Sequence, residues 1–156
     1  GQHWLDPTPL LPDPNRHPRM DEPQKTVYFS DAIFLGGAEE YLKLLVPEID
    51  RARYDARVVL CDRPTTRPLA EFFQQLKIPA DFVETHGRTP FHNFFAALSY
   101  FLRQRPSIVH FNLNNSFGCF FPILAAFVAG VRWFWVVSIS GVLAGLGLFV
   151  GDGSPR

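Results

Sequence analysis

Cysteine is scarce in this chain, net charge is absent, and the common cofactor signatures are missing. Cys61 and Cys119 are the two cysteines, with no C-x-x-C pair and no Cys/His cluster at metal-ligand spacing. A disulfide-dense scaffold and a structural zinc site are thereby excluded, and a reducing, cytoplasmic compartment fits best. Fifteen Lys+Arg balance fifteen Asp+Glu, so no broad positive field exists to hold a phosphate backbone, and nucleic acid is not an expected partner. No Asp-x-Asp pair offers itself to a metal-bound diphosphate. The amino end lacks a basic segment followed by an apolar one, the pattern of a secretory signal.

What is present falls into three parts. Residues 1–24 are dense in proline and follow no period of 2 or 3.6. They bury too little apolar area to offset chain entropy and read as a disordered leader. With Met20 just ahead of the first strand, residues 1–19 read as upstream sequence or a cloning remnant. Residues 139–156 form a glycine-rich apolar tail whose "GDGSPR" ending reads as a truncation or an out-of-register translation.

Residues 25–138 alternate regularly. "KTVYFS" (25–30), "ARVVLC" (56–61), "ADFVE" (80–84), "SIVHFN" (107–112) and "WFWVVS" (133–138) read as buried strands, rich in β-branched and aromatic residues. Between them "AEEYLKLLVPEI", "RPLAEFFQQLKI", "NFFAALSYFLRQR" and "CFFPILAAFVAGV" carry helical spacing, with Pro47 ending or kinking the first. Phe94, Phe95, Leu98, Phe101 and Leu102 fall on one stripe, expected to face the core. Strand and helix in alternation imply an α/β fold: a doubly wound, Rossmann-like parallel sheet in three αβα layers. A competing reading takes the uncharged run Trp133–Val150 as a membrane span, since about 18 apolar residues are the minimum. Its three glycines and its β-branched start argue for a strand instead.

Ligands of such sheets gather at the carboxyl ends of the strands, where strand order reverses. Two loops lie there, "SDAIFLGGAEE" after the first strand and "VHFNLNNSFG" after the fourth. Gly36 and Gly37 precede a helix whose first N–H groups lack internal partners and attract anions. They also take positive φ at little cost, so simple turn residues are the competing explanation. The pair matches neither G-x-G-x-x-G nor G-x-x-x-x-G-K-[S/T], which removes a dinucleotide site and a P-loop.

Strand, loop, then "GGAEEYLKLL" resembles the first βα unit of the family 4 retaining glycosyltransferases of the GT-B class. "PSIVHFNLNNSFGCFFPILAAFVAGV" (106–131) is similar to that family's strand ending in histidine, its polar loop and its alanine-rich helix. The resemblance covers about residues 25–138 and implies a single half of a GT-B fold, the amino-terminal, acceptor-side domain. It further implies transfer of a hexosyl unit from a nucleoside-diphosphate sugar to a hydroxyl of a sugar or lipid acceptor, with retention and without a metal or other cofactor. A second domain would supply most donor contacts, and without it the chain is expected to be inactive. Localisation would be cytoplasmic, with peripheral contact at the inner membrane face allowed.

By the same resemblance, Gly36 and Gly37 present amides to the donor diphosphate, and Glu39 faces the cleft. His110 ends the fourth strand beside the transferred sugar as the catalytic candidate. Asn112 stands where family members often have a second histidine, and its amide could bond a sugar hydroxyl. Asn114, Asn115 and Ser116 line the acceptor side, and Arg88 could meet an anionic acceptor. A strand-end histidine satisfied by backbone and a solvated loop arginine are the plainer alternatives. A stand-alone nucleotide- or phosphosugar-binding module without turnover remains a competing function. Asn114-Asn115-Ser116 also spells a glycosylation acceptor, and Glu40 and Glu48 show the family's E-x7-E spacing in the wrong domain; both are coincidental.

Overall fold

The computed structural model describes residues 22–85, 89–113, 120–138 and 148–149. Strand β1 (Gln24–Ser30) leads through a six-residue loop into helix α1 (Gly37–Leu45), which tightens into a 3-10 turn at Val46–Glu48. Pro47 sits inside that turn and has no N–H to continue an α-helix, so the helix ends where the sequence predicts. Strand β2 (Tyr54–Cys61), helix α2 (Arg67–Gln75) and strand β3 (Ala80–Val83) follow. Helix α3 (Pro90–Gln104) starts at Thr89, whose hydroxyl accepts from the His92 amide at 3.3 Å. Strand β4 (Ile108–Leu113), helix α4 (Phe120–Val128) and strand β5 (Trp133–Ser138) complete the regular alternation. A two-residue strand β6 (Leu148–Phe149) adds an antiparallel edge.

The strands lie in the order β3-β2-β1-β4-β5-β6, and β1 to β5 are parallel. The chain winds outward from β1 to β3, then crosses to β4 and winds the other way. Two helical layers result, because right-handed crossovers of opposite direction place helices on opposite faces. One core cluster packs Tyr28, Val58 and Leu60 against Leu42 of α1 and Leu69 and Phe73 of α2. The other packs Phe29, Val109 and Phe111 against Phe101 of α3 and Ala125 of α4. Phe29 and Phe111 stack at 5.4 Å between centroids. The architecture is the α/β Rossmann-like fold expected from the alternation.

Of the two readings of 133–150, the strand is the one seen: Trp133–Ser138 pairs with β4, and Leu148–Phe149 pairs back on it. Among the described residues no helix is long and apolar enough to cross a membrane. One expectation changes in part: on α3, Phe101 is buried and Phe94 and Leu98 pack against the core as expected, but Ala97 and Tyr100 complete the buried edge while Phe95 and Leu102 are 61% and 53% exposed. Apolar residues on α3 outnumber the places the sheet can cover, and the position of the sheet decides which are buried.

Candidate functional site

Strand order reverses between β1 and β4, so the loops leaving these two strands form the crevice of the sheet. Ser30 and Asn112 are register partners at its base. Both side chains are fully buried, as is that of Glu39 in the first turn of α1, and Asp31 is 5% exposed. Polar groups this deep must be paired, and the pairing shows how the crevice is built.

Glu39 carries the arrangement. Its Oε1 accepts from the Ser30 hydroxyl at 2.9 Å, and its Oε2 accepts from the Gly36 amide at 2.9 Å. Ser30 Oγ in turn accepts from the Ala32 amide at 3.2 Å. This is the reciprocal half of a capping box: Glu at N3 reaches back to the N-cap amide, while the glycine N-cap has no side chain to return the bond. The carboxylate also sits where the α1 dipole is positive. On the β4 side, Asn112 Nδ2 donates to the Ala38 carbonyl at 2.8 Å, tying β4 to the same turn. Its Oδ1 is buried without a hydrogen-bond partner.

Three assignments therefore shift. The Gly36 amide, proposed to greet a diphosphate, is already donated to Glu39. Glu39, proposed to face the acceptor, spends both carboxylate oxygens inside the fold. Asn112 donates to backbone and not outward. Gly37 stands apart from these three. It is exposed, and a Cβ added there would meet nothing within 4 Å. As the first residue of α1, its N–H has no carbonyl one turn back within the helix. Neither glycine uses positive φ. Gly36 is extended at φ −147, open to any residue, and Gly37 is helical. Above the crevice, Ile33, Phe34 and Leu35 are exposed, and the Thr65 hydroxyl holds the Ile33 carbonyl.

His110 lies elsewhere. Strand β4 continues to Leu113, so His110 is its third residue and not its end. Its ring stands 5.4 Å from that of Tyr28 at 37°. With Thr26, Tyr28, Ile49, Asp50, Tyr54 and Ile108 it lines a cavity of about 250 Å³. Ile49, Asp50 and Tyr54 follow the carboxyl end of α1, so the cavity opens toward the amino ends of the strands, away from Gly37. The Nε2 atom is buried without a partner, and burial pushes the imidazole below the usual histidine range. Burial likewise pushes the Tyr28 phenol up to about 12, with smaller contributions from Tyr41 and Tyr54. Arg88, Asn114, Asn115 and Ser116 lie outside the described residues.

The sequence reading missed Ser30 and Asp31, although a Ser-Asp pair directly after an apolar strand marks the first polar positions of the crevice. Among the described residues no group of three His, Cys, Asp or Glu side chains could hold a metal ion.

No protein-family model matches the chain, and no curated protein sequence matches it. Among the solved structures similar to the chain are two with sugar-nucleotide names. One is a UDP-N-acetylglucosamine 2-epimerase, 17% identical with a TM-score of 0.47, covering 76% of this chain and 33% of its own. The other is a putative UDP-N-acetylglucosamine 2-epimerase from Listeria monocytogenes, 18% identical with a TM-score of 0.48, covering 74% of this chain and 31% of its own. The chain thus spans about a third of the length of either, and no residue role is transferred from them.

Proposed function

We propose that the chain is the acceptor-side half of a GT-B-type retaining glycosyltransferase. It would act with a second, donor-binding domain to move a hexosyl unit from a nucleoside-diphosphate sugar to a sugar or lipid hydroxyl. The observation that carries this reading is the Asn112 bond to the Ala38 carbonyl. It joins the two stretches of sequence that bear the family resemblance, far apart in the chain, at the point where sheet topology collects ligands.

In this reading Gly37 offers its open amide to the donor phosphate, and the crevice floor of Ser30, Glu39 and Asn112 holds that amide in place. Gly36 positions Glu39. Asn114, Asn115, Ser116 and Arg88 belong to the acceptor side. The departing diphosphate needs more positive charge than one helix end provides, because stabilising developing charge is usually the largest catalytic contribution. That charge is assigned to the second domain. The reaction would then run in the cleft between the two halves.

One observation favours a second reading, a phosphosugar-binding module without turnover. The carboxylate of Glu39 at the crevice is committed to hydrogen bonds within the fold and is not free to act as a base. Amide-resolved NMR of the chain titrated with UDP-glucose and GDP-mannose tests the site. Saturable shifts centred on the Gly37 amide are expected, and an unmoved Gly37 amide with either sugar would overturn it. Nucleoside-diphosphate release after addition of a separately produced donor domain distinguishes transferase from module.

A further inference from the structure

Strand register brings two pairs of side chains together away from the crevice. Thr26 pairs with Ile108 and Tyr28 with His110 along the parallel β1–β4 ladder, and residues two apart on a strand point to the same face. That face is the one α1 covers, since Tyr28 packs in one cluster with Leu42 and Val46. The chain leaving α1 and its 3-10 turn closes one side with Ile49 and Asp50, and Tyr54 stands beside them at the start of β2. Together they enclose the cavity of about 250 Å³ that His110 lines. Drug-sized ligands occupy about 300–1,000 Å³, so a smaller molecule suits this space.

Electrostatics narrows the class of that molecule. Asp50 is the one carboxylate in the lining, and no lysine or arginine accompanies it there. Its Oδ1 accepts from the Ala52 amide at 3.0 Å, and among the described residues it forms no ion pair. The 3-10 turn that prolongs α1 ends at Glu48, next to Ile49, which sets the negative end of the helix dipole at the rim. The faces of the Tyr28 and Tyr54 rings are negative as well. Exposed Arg53 already lies over the Tyr54 ring, 6.0 Å from its centroid, so an aromatic group here does draw a cation. Burial holds His110 below the usual histidine range, and its imidazole adds no positive charge at neutral pH. An anionic occupant would meet repulsion from Asp50. Aromatic rings beside a carboxylate are the recognised receptor for an ammonium group.

We propose that this cavity binds a small free organic cation, an ammonium group on a short apolar body. Asp50 offsets its charge, the rings of Tyr28, Tyr54 and His110 lie against it, and Ile49 and Ile108 take its apolar part. The site lies toward the amino ends of the strands, across the sheet from Gly37, and is independent of the donor site.

Titration of the full chain with choline tests it, read by NMR of the Tyr28 and His110 ring protons. Saturable shifts of both rings are expected. The neutral isostere of choline, with carbon in place of the quaternary nitrogen, should bind about tenfold more weakly, the worth of a desolvated cation on aromatic faces. Asp50→Asn keeps an oxygen for the Ala52 amide and should weaken choline by about fivefold or more without lowering the melting temperature. Should that variant melt early, Tyr54→Leu is the second probe and should weaken choline while leaving the isostere unaffected. Absence of saturable shifts, equal affinity for choline and its isostere, or variants that bind choline like wild type would overturn the proposal. So would choline shifts centred on the Gly37 amide, which would put the cation in the crevice.

Discussion

Asn112 and Ala38, separated by 74 positions, meet through a 2.8 Å hydrogen bond that fastens the carboxyl end of β4 to the first turn of α1. The bond fixes a polarity. The amide group must donate here, since the partner is a carbonyl. Replacement by alanine removes one buried hydrogen bond, together with an Oδ1 that has no partner of its own, so a loss of about 1–2 kcal/mol is expected. Asn112→Asp sets a carboxylate against a carbonyl in a buried position and should cost about 3 kcal/mol or more. Urea denaturation of the two variants checks the order. Equal losses would mean that Asn112 does not donate in solution.

Glu39 gives a second, separable prediction. Its two oxygens take one hydroxyl and one amide. Glu39→Gln keeps one acceptor and replaces the other with a donor, leaving Ser30 or Gly36 facing N–H. Stability should fall by about 1–3 kcal/mol. The same change removes a negative charge from the helix end where a phosphate would approach, so any phosphate ligand at Gly37 should bind more tightly in the variant. Calorimetric titration with UDP-glucose reads the second effect and chemical denaturation the first. A variant that is less stable yet binds with unchanged affinity would place the phosphate away from α1.

The residues themselves explain how far the sequence could be read. Apolar runs such as "KTVYFS" and "RVVLC" leave little choice but buried parallel strands, and the fold class follows from their alternation. The crevice was legible as a place, because Gly36-Gly37 and the end of β4 both lie at strand ends. Its internal wiring was not. A capping box normally advertises itself by Ser or Thr at the N-cap, and here glycine holds that position, leaving Glu39 as the only visible half. A period of 2 puts His110 and Asn112 on one side of β4. It does not tell which of them lies beneath α1, and only the pairing shows Asn112, not His110, at the strand end beside α1. The buried edge of α3 escaped for a related reason. Ala97, small and unremarkable in sequence, packs on the sheet, while the larger Phe95 points away.

Gly36 and Gly37 should respond differently to substitution. Gly36→Ala adds a methyl group about 3.5 Å from Glu39 Oε2 in an extended backbone that alanine accepts. Its effect should be a loss of about 0.5–1.5 kcal/mol, since glycine ranks well above alanine at the N-cap. Gly37→Val enters open space at the first helical residue and should leave the melting temperature nearly unchanged. Its branched side chain would nonetheless cover the amide, and UDP-glucose affinity should drop by about tenfold or more, the loss of one charge-assisted bond. Unchanged affinity in calorimetry would remove Gly37 from the site.

His110 supplies a pH prediction whose sign follows from its burial. The folded state holds the imidazole below its unfolded value of 6.5 through desolvation, so the unfolded chain binds the proton more readily than the folded one. Stability from this group is complete above 6.5 and declines as pH falls from there toward the lowered folded value. The groups lining the same cavity are Tyr28, Tyr54 and Asp50. The Tyr28 phenol, pushed up to about 12 by burial, stays neutral across that window. Asp50 alone would favour the imidazolium, yet burial is the dominant influence and the net direction is downward. Comparing urea denaturation at pH 8 and pH 5 for the wild type and for His110→Phe isolates the contribution, because the other titrations are common to both. The wild type should lose more stability on acidification than the variant. The reverse difference would show that the Asp50 carboxylate outweighs burial and that the histidine is charged within the fold.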